Sequence, residues 1–221
     1  MLEITDIIGI IAFSISGFII GVRNKLDLLG IAISAFLTAL GGGIIRDVLA
    51  DRSVYSFTDV IPGSIVLAVL IIGSYFKFHK YDFKKNDLFL ISDSIGLVSF
   101  SISGSIVALN AGFNIYGVVF LALITAVGGG MIRDILINKI PFILKENFYG
   151  SVSIFVSIFL YIFGISDSVI VLILIIGVII RIIAHQGCFM LNSKDKNMTA
   201  PCSFLLTQHS NFAKKCERQA P

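Results

Sequence analysis

The chain has 221 residues, of which 56% are hydrophobic and 14% charged, with a formal net charge of +3 and a mean hydropathy of +0.95. These values lie far outside soluble usage and exclude an ordinary water-soluble domain. The excess basic residues fall in connecting loops and the tail, a pattern of membrane anchoring rather than of nucleic-acid binding.

Seven apolar stretches follow in chain order: 4–22, 28–50, 60–76, 88–109, 115–137, 148–163 and 168–183. Each is about long enough to cross a roughly 30 Å hydrocarbon core as a helix. They are continuous runs with Gly, Ser and Thr inside them, not alternating segments of about ten residues, so a helical bundle is predicted and a β-barrel is not. Glu3 and Asp6, with no Lys or Arg, lie at the start of the first stretch, so it is expected to remain in the mature protein rather than act as a cleavable signal.

Basic residues collect after alternate spans. Arg23 and Lys25 follow the first, Lys77, Lys80, Lys84 and Lys85 the third, and Lys139 and Lys145 the fifth, with Arg181 and Lys194 near the tail. The positive-inside rule then predicts an outward amino terminus and a cytoplasmic carboxy terminus in the cell membrane. Anionic lipid is an expected neighbour of the basic loops. Cys188, Cys202 and Cys216 lie in the tail without metal-ligand or redox spacing, so free thiols are expected.

The phrase Gly41-Gly42-Gly43-Ile44-Ile45-Arg46-Asp47 returns as Gly128-Gly129-Gly130-Met131-Ile132-Arg133-Asp134, an offset of 128 − 41 = 87 residues. The same offset relates Asp6 to Asp93, Phe13 to Phe100, Gly17 to Gly104 and Gly30 to Gly117, and 20 of the 44 positions between 6 and 49 are identical. That is a duplicated structural unit. Three spans per copy, an odd number, force the second copy to enter the membrane from the opposite side. The predicted organisation is a first three-helix repeat at 4–78, an inverted second repeat at 88–164, a seventh helix at 168–184 and a disordered cytoplasmic tail at 185–221.

Inverted repeats are common in transport proteins, where discontinuous helices form the path near the midplane. Three glycines weaken a helix by roughly 3 kcal/mol relative to alanine, so a kink or unwound turn is predicted at Gly41, Gly42 and Gly43 and at Gly128, Gly129 and Gly130. Freed carbonyls there would favour a monovalent cation near Gly41 and Gly128. The competing use of such glycines is close helix packing. Under the break reading, Gly42→Leu and Gly129→Leu should reduce flux and leave the chain folded.

Arg46-Asp47 and Arg133-Asp134 follow the triplets. Adjacent residues do not share a helix face, so each is expected to find its partner elsewhere. Asp6, Gly9, Phe13, Ser16 and Gly17 share one face of the first span, and Asp93, Gly96, Phe100, Ser103 and Gly104 repeat it on the fourth. Salt bridges from Arg46 to Asp6 and from Arg133 to Asp93 would clamp the helices. Two carboxylates and one guanidinium per end give a formal −1, predicting acidic mouths that concentrate cations. Between them Ser14, Ser16, Thr38, Ser101, Ser103 and Thr125 supply hydroxyls, and Phe13 and Phe100 are candidate constrictions.

The twice-written Gly-Gly-Gly-x-x-Arg-Asp within three-plus-three-plus-one spans resembles the prokaryotic branch of the trimeric intracellular cation (TRIC) channel family, also known as a glycine-transporter domain family. The resemblance covers about residues 4–184. It implies a homotrimer with a pore inside each subunit, carrying K⁺ and Na⁺ between the second and fifth spans, without a cofactor. The glycine triplets would carry the pore, with Arg46, Asp47, Arg133 and Asp134 organising the kinks. A secondary transporter for glycine or another small amino acid is the alternative. No His-Glu-x-x-His, Gly-x-Ser-x-Gly or Gly-Lys-Ser/Thr pattern occurs, so an enzyme is not expected.

Overall fold

The computed structural model describes residues 2–75, 87–145 and 149–194. The basic residues Lys77, Lys80, Lys84 and Lys85 and the tail residues Cys202 and Cys216 lie outside this range. The chain divides into a unit of Met1–Ala184 and a second of His185–Pro221.

The described residues form nine helices: α1 (Leu2–Arg23), α2 (Leu28–Leu49), α3 (Tyr55–Thr58), α4 (Ile61–Tyr75), α5 (Asp87–Asn110), α6 (Ile115–Leu136), α7 (Phe142–Lys145), α8 (Tyr149–Phe163) and α9 (Asp167–Lys194). Five of them, α1, α2, α5, α6 and the 167–184 part of α9, are long and apolar enough to cross a membrane. The apolar helices α4 and α8 have 15 residues each, about 22 Å of helix. These are the seven predicted spans. Helix α9 runs on to Lys194, beyond the predicted boundary at Ala184; no proline interrupts it, and a single glycine, Gly187, costs a helix only about 1 kcal/mol.

The 87-residue offset reaches the fine structure. Both α2 and α6 start at a β-region cap, Asp27 (φ −67°, ψ 174°) and Asn114 (φ −70°, ψ 172°). Each cap side chain accepts a hydrogen bond from the amide three residues on, Gly30 at 2.8 Å and Gly117 at 2.9 Å. Just beyond the helix ends, Asp51 and Asn138 both take positive φ, 50° and 55°. Ahead of α2, Lys25 has φ 54° where its counterpart ahead of α6 is Gly112 at 75°. The short helices α3 and α7 also correspond, since 55 + 87 = 142 and 58 + 87 = 145. The fold is thus an all-α membrane architecture of two three-helix repeats plus a seventh helix.

Its polarity is turned outside in. Leu28, Leu29, Ile71, Ile72 and Tyr116 are exposed, whereas Ser14, Ser16, Thr38, Ser101, Ser103, Thr125, the Arg and Asp of both motifs, Asp6 and Asp93 are buried. Lipid is as apolar as leucine, so apolar burial provides little force between membrane helices; close contact and hydrogen bonding hold them instead. The crossing of α1 and α5 shows how. Phe13 and Phe100 meet there with ring centroids 5.3 Å apart and planes at 32°. Each ring rests on a glycine of the opposite helix, Phe13 on Gly96 and Phe100 on Gly9.

Candidate functional site

Helix α2 brings Arg46 and Asp47 to the end of α1 that carries Asp6. Arg46 donates from Nε to Asp47 Oδ1 at 2.8 Å and from Nη1 to Asp6 Oδ1 at 2.6 Å. Its Nη1 also bonds the hydroxyl of Ser103, and that hydroxyl donates to Asp6 Oδ1 at 2.5 Å. The second layer repeats the plan. Arg133 donates from Nε to Asp134 Oδ1 at 2.9 Å and from Nη1 to Ser16 at 2.8 Å. Asp93 Oδ1 lies 3.6 Å from Arg133 Nη1 and accepts from Ser16 at 3.3 Å. Each layer is therefore completed by a serine from the other repeat.

The clamps from Arg46 to Asp6 and from Arg133 to Asp93 are as the sequence predicts. Two expectations change. The adjacent Arg-Asp residues do bond each other: their Cβ atoms diverge around the helix, but the long arginine side chain turns back so that Nε reaches its neighbour. The carboxylates also form no acidic mouth in this conformation. Asp6, Asp47, Asp93 and Asp134 are at most 3% exposed, and each layer holds a second guanidinium. Arg52 Nε lies 3.4 Å from Asp47; the Arg181 guanidinium lies over the Tyr149 ring at 4.7 Å, and Tyr149 hydrogen-bonds Asp93. These guanidinia offset the formal −1 expected at each end, and on the Arg133 side Arg23 adds another, lying over the Phe89 ring at 5.6 Å where Arg133 lies over it at 5.3 Å. Charges this deep persist only when paired, since breaking one such pair costs about 3 to 5 kcal/mol.

Between the layers, four of the six predicted hydroxyls are engaged with their own helices. Ser14, Thr38, Ser101 and Thr125 donate to the carbonyls of Ile10, Ser34, Leu97 and Leu121 at 2.5 to 2.7 Å. Only Ser16 and Ser103 bond across helices to the charged groups.

The glycine triplets lie where α2 meets α6. Helical structure continues through both, so the unwound turn does not form; the helix facing each triplet supports it. A Cβ on Gly42 would overlap the Thr125 carbonyl oxygen, and one on Gly129 the Thr38 carbonyl oxygen. Each glycine therefore aims a Cα hydrogen at a carbonyl of the other helix, a reciprocal pair of Cα–H···O contacts that any larger residue would prevent. Gly41 faces Ile132 at 3.0 Å and Gly128 faces Ile45 at 3.3 Å, measured from the position of a Cβ. Apolar side chains thus pack against Gly41 and Gly128, the two glycines near which a cation was expected. Gly43 has nothing within 4 Å.

Sequence reasoning missed three contributors: Arg52, Tyr149 and Arg181. Arg181 carried the visible signal, an arginine set in the apolar run of the last span, which by default marks an interior charge with a partner. Tyr149 stands where the first repeat has Pro62 and could not be found from the repeat.

These features define a class: a multi-pass α-helical membrane protein with two inverted three-helix repeats, a seventh helix and its charges paired inside. The chain belongs to the family described as Glycine transporter, whose model matches once per repeat, at residues 3–80 and 90–164. It is 37% identical over 149 residues to the UPF0126 membrane protein YvgT of Bacillus subtilis, covering 67% of this chain and 73% of that one. Its fold matches the crystal structure of a prokaryotic TRIC channel in 0.5 M KCl, with TM-score 0.79 and 29% identity over 85% of this chain and 97% of the other. A second solved structure, described as giving the structural basis for conductance through TRIC cation channels, matches with TM-score 0.71 and 35% identity over 83% and 92%. The resemblance carried by the repeated motif is borne out.

Proposed function

We propose that this protein is a cation channel of the cell membrane, passing K⁺ and Na⁺ down their gradients through a path inside each protomer, between the two repeats. The observation that carries this reading is the 35% identity, along more than four-fifths of the chain, to a structure described as a TRIC cation channel. Assembly as a homotrimer, an outward amino terminus and anionic lipid at the basic loops belong to the same proposal. The loop charges support the orientation.

The two layers bear on how a cation could pass. A bare guanidinium 4 Å from a monovalent cation would repel it by about 4 kcal/mol at an effective dielectric of 20. Arg46 and Arg133 are each pinned to two carboxylates, which offsets that repulsion. In this reading conduction requires the serine contacts across the repeats to part while the arginines keep their aspartates. Hydroxyls released by that movement would replace part of the ion's hydration shell.

The family's description favours one other reading, a secondary transporter for glycine or another small amino acid. There a broken helix would offer a positive end to the carboxylate. Purified protein in a planar bilayer under a KCl gradient separates the two. Discrete single-channel openings support the channel; silence together with saturable uptake of radiolabelled glycine overturns it.

A further inference from the structure

Because the two repeats share one plan at their charged layers, a group that reaches one layer from outside the duplicated unit makes the two layers unequal. At the Arg46 layer Asp47 is met by the segment following α2. Arg52, 36% exposed in its side chain, approaches Asp47 at 3.4 Å, and the Tyr55 amide donates to Asp47 Oδ2 at 3.0 Å. At the Arg133 layer two groups from other helices join. Tyr149, 2% exposed, bonds Asp93 and sits under the guanidinium of Arg181, itself 1% exposed. Arg181 belongs to α9, which has no counterpart in the first repeat. The Tyr149 hydroxyl and Arg133 Nη2 converge beside Gly130, at 3.6 and 3.7 Å from where a Cβ would stand. The crevice they share with Val127, Met131 and Ile143 has no room for a water molecule.

We propose that Arg181 and Tyr149 form a latch by which α9 holds the Arg133 layer shut, making the two ends of the path unequal. The Arg46 layer, closed by a part-exposed arginine, loosens first; the Arg133 layer opens only when Arg181 leaves the ring of Tyr149. Both are positioning residues that act through Asp93. This rests on the channel reading.

Tyr149→Phe keeps the ring and removes the hydroxyl's bond to a charged group. Open probability in planar bilayers should rise about tenfold with unit conductance unchanged. Arg181→Gln should do the same and Arg181→Lys less, because lysine keeps the charge but loses the planar stack. Unchanged open probability in both Tyr149→Phe and Arg181→Gln, or altered unit conductance, overturns the latch. A second measurement needs no current. With Cys188, Cys202 and Cys216 replaced by serine, a cysteine introduced by Gly130→Cys is labelled with a small charged thiol reagent, and one introduced by Gly43→Cys serves as the control in the other layer. Tyr149→Phe and Arg181→Gln should speed labelling about tenfold at position 130 and leave position 43 unchanged. Equal acceleration at both positions, or none at 130, overturns the proposal. If the wild type and both variants carry no current and glycine uptake saturates while this labelling pattern holds, the channel reading falls and the latch stands.

Discussion

Replacing Gly42 by alanine places a methyl group on the Thr125 carbonyl oxygen, since the ideal Cβ and that oxygen would overlap. A carbon and an oxygen need about 3.3 Å, so α2 and α6 must separate by about 1 Å along the line joining them. The separation loses the reciprocal Cα–H···O contacts, about 0.5 to 1 kcal/mol each, and adds an overpacking strain of about 1 to 3 kcal/mol. Alanine returns about 1 kcal/mol of helix propensity, leaving a net destabilisation of about 1 to 4 kcal/mol. Gly129→Ala should behave alike, against Thr38. Gly43→Ala is the control one residue away: nothing lies within 4 Å, so only the propensity gain of about 1 kcal/mol remains. Thermal unfolding in detergent, followed by size-exclusion of the surviving fraction, should rank Gly43→Ala above wild type and wild type above Gly42→Ala. Equal melting of the two variants would falsify the crossing argument. The same geometry overturns the expectation that Gly42→Leu and Gly129→Leu leave the fold intact: there is no break to fill, only a contact to force apart.

Three further outcomes follow from the same structure. Asp6→Asn leaves Arg46 buried without its closest counter-ion and should lower stability by about 3 to 5 kcal/mol, read as lost monodisperse protein after mild heating; a silent substitution would mean that water reaches this layer. Lys25→Gly relieves a positive-φ position that the second repeat fills with Gly112 and should raise stability by about 1 kcal/mol, checked by a thermal shift; a fall would show that the lysine side chain contributes more than its backbone costs. Asp27→Ala removes the cap of α2 and should cost about 1 kcal/mol, matched by Asn114→Ala at α6. A marked difference between those two variants would show that the repeats are not equivalent at their caps.

The fold was legible in the sequence because the duplication supplied its own alignment. The limits of α2 and α6, their caps and even the left-handed residues after them recur at the 87-residue offset. The partnership of Arg46 with Asp6 was readable for the same reason, since both face the interior near the same end of their spans. What was not readable depends on distances between helices. The sequence of a glycine triplet does not distinguish a broken helix from two helices pressed together; the position of the Thr125 and Thr38 carbonyls does. Nor does helical spacing reveal that an arginine can fold back upon its own neighbour. Tyr149 escaped because it is where the second copy departs from the first, and Arg181 because its place near the tail suggested an anchoring charge.

The exchange of serines bears on how the chain is made. Ser103 follows Arg46 by 57 residues and Asp6 by 97. At about 5 to 20 residues per second, the Arg46 layer waits about 3 to 11 s between synthesis of the arginine and of the serine that completes it. During that interval the first repeat holds its charges without the hydroxyl that completes their hydrogen bonding, whereas the Arg133 layer finds Ser16 already made. The hydrogen bonding of the amino-terminal half is therefore completed only as α5 arrives.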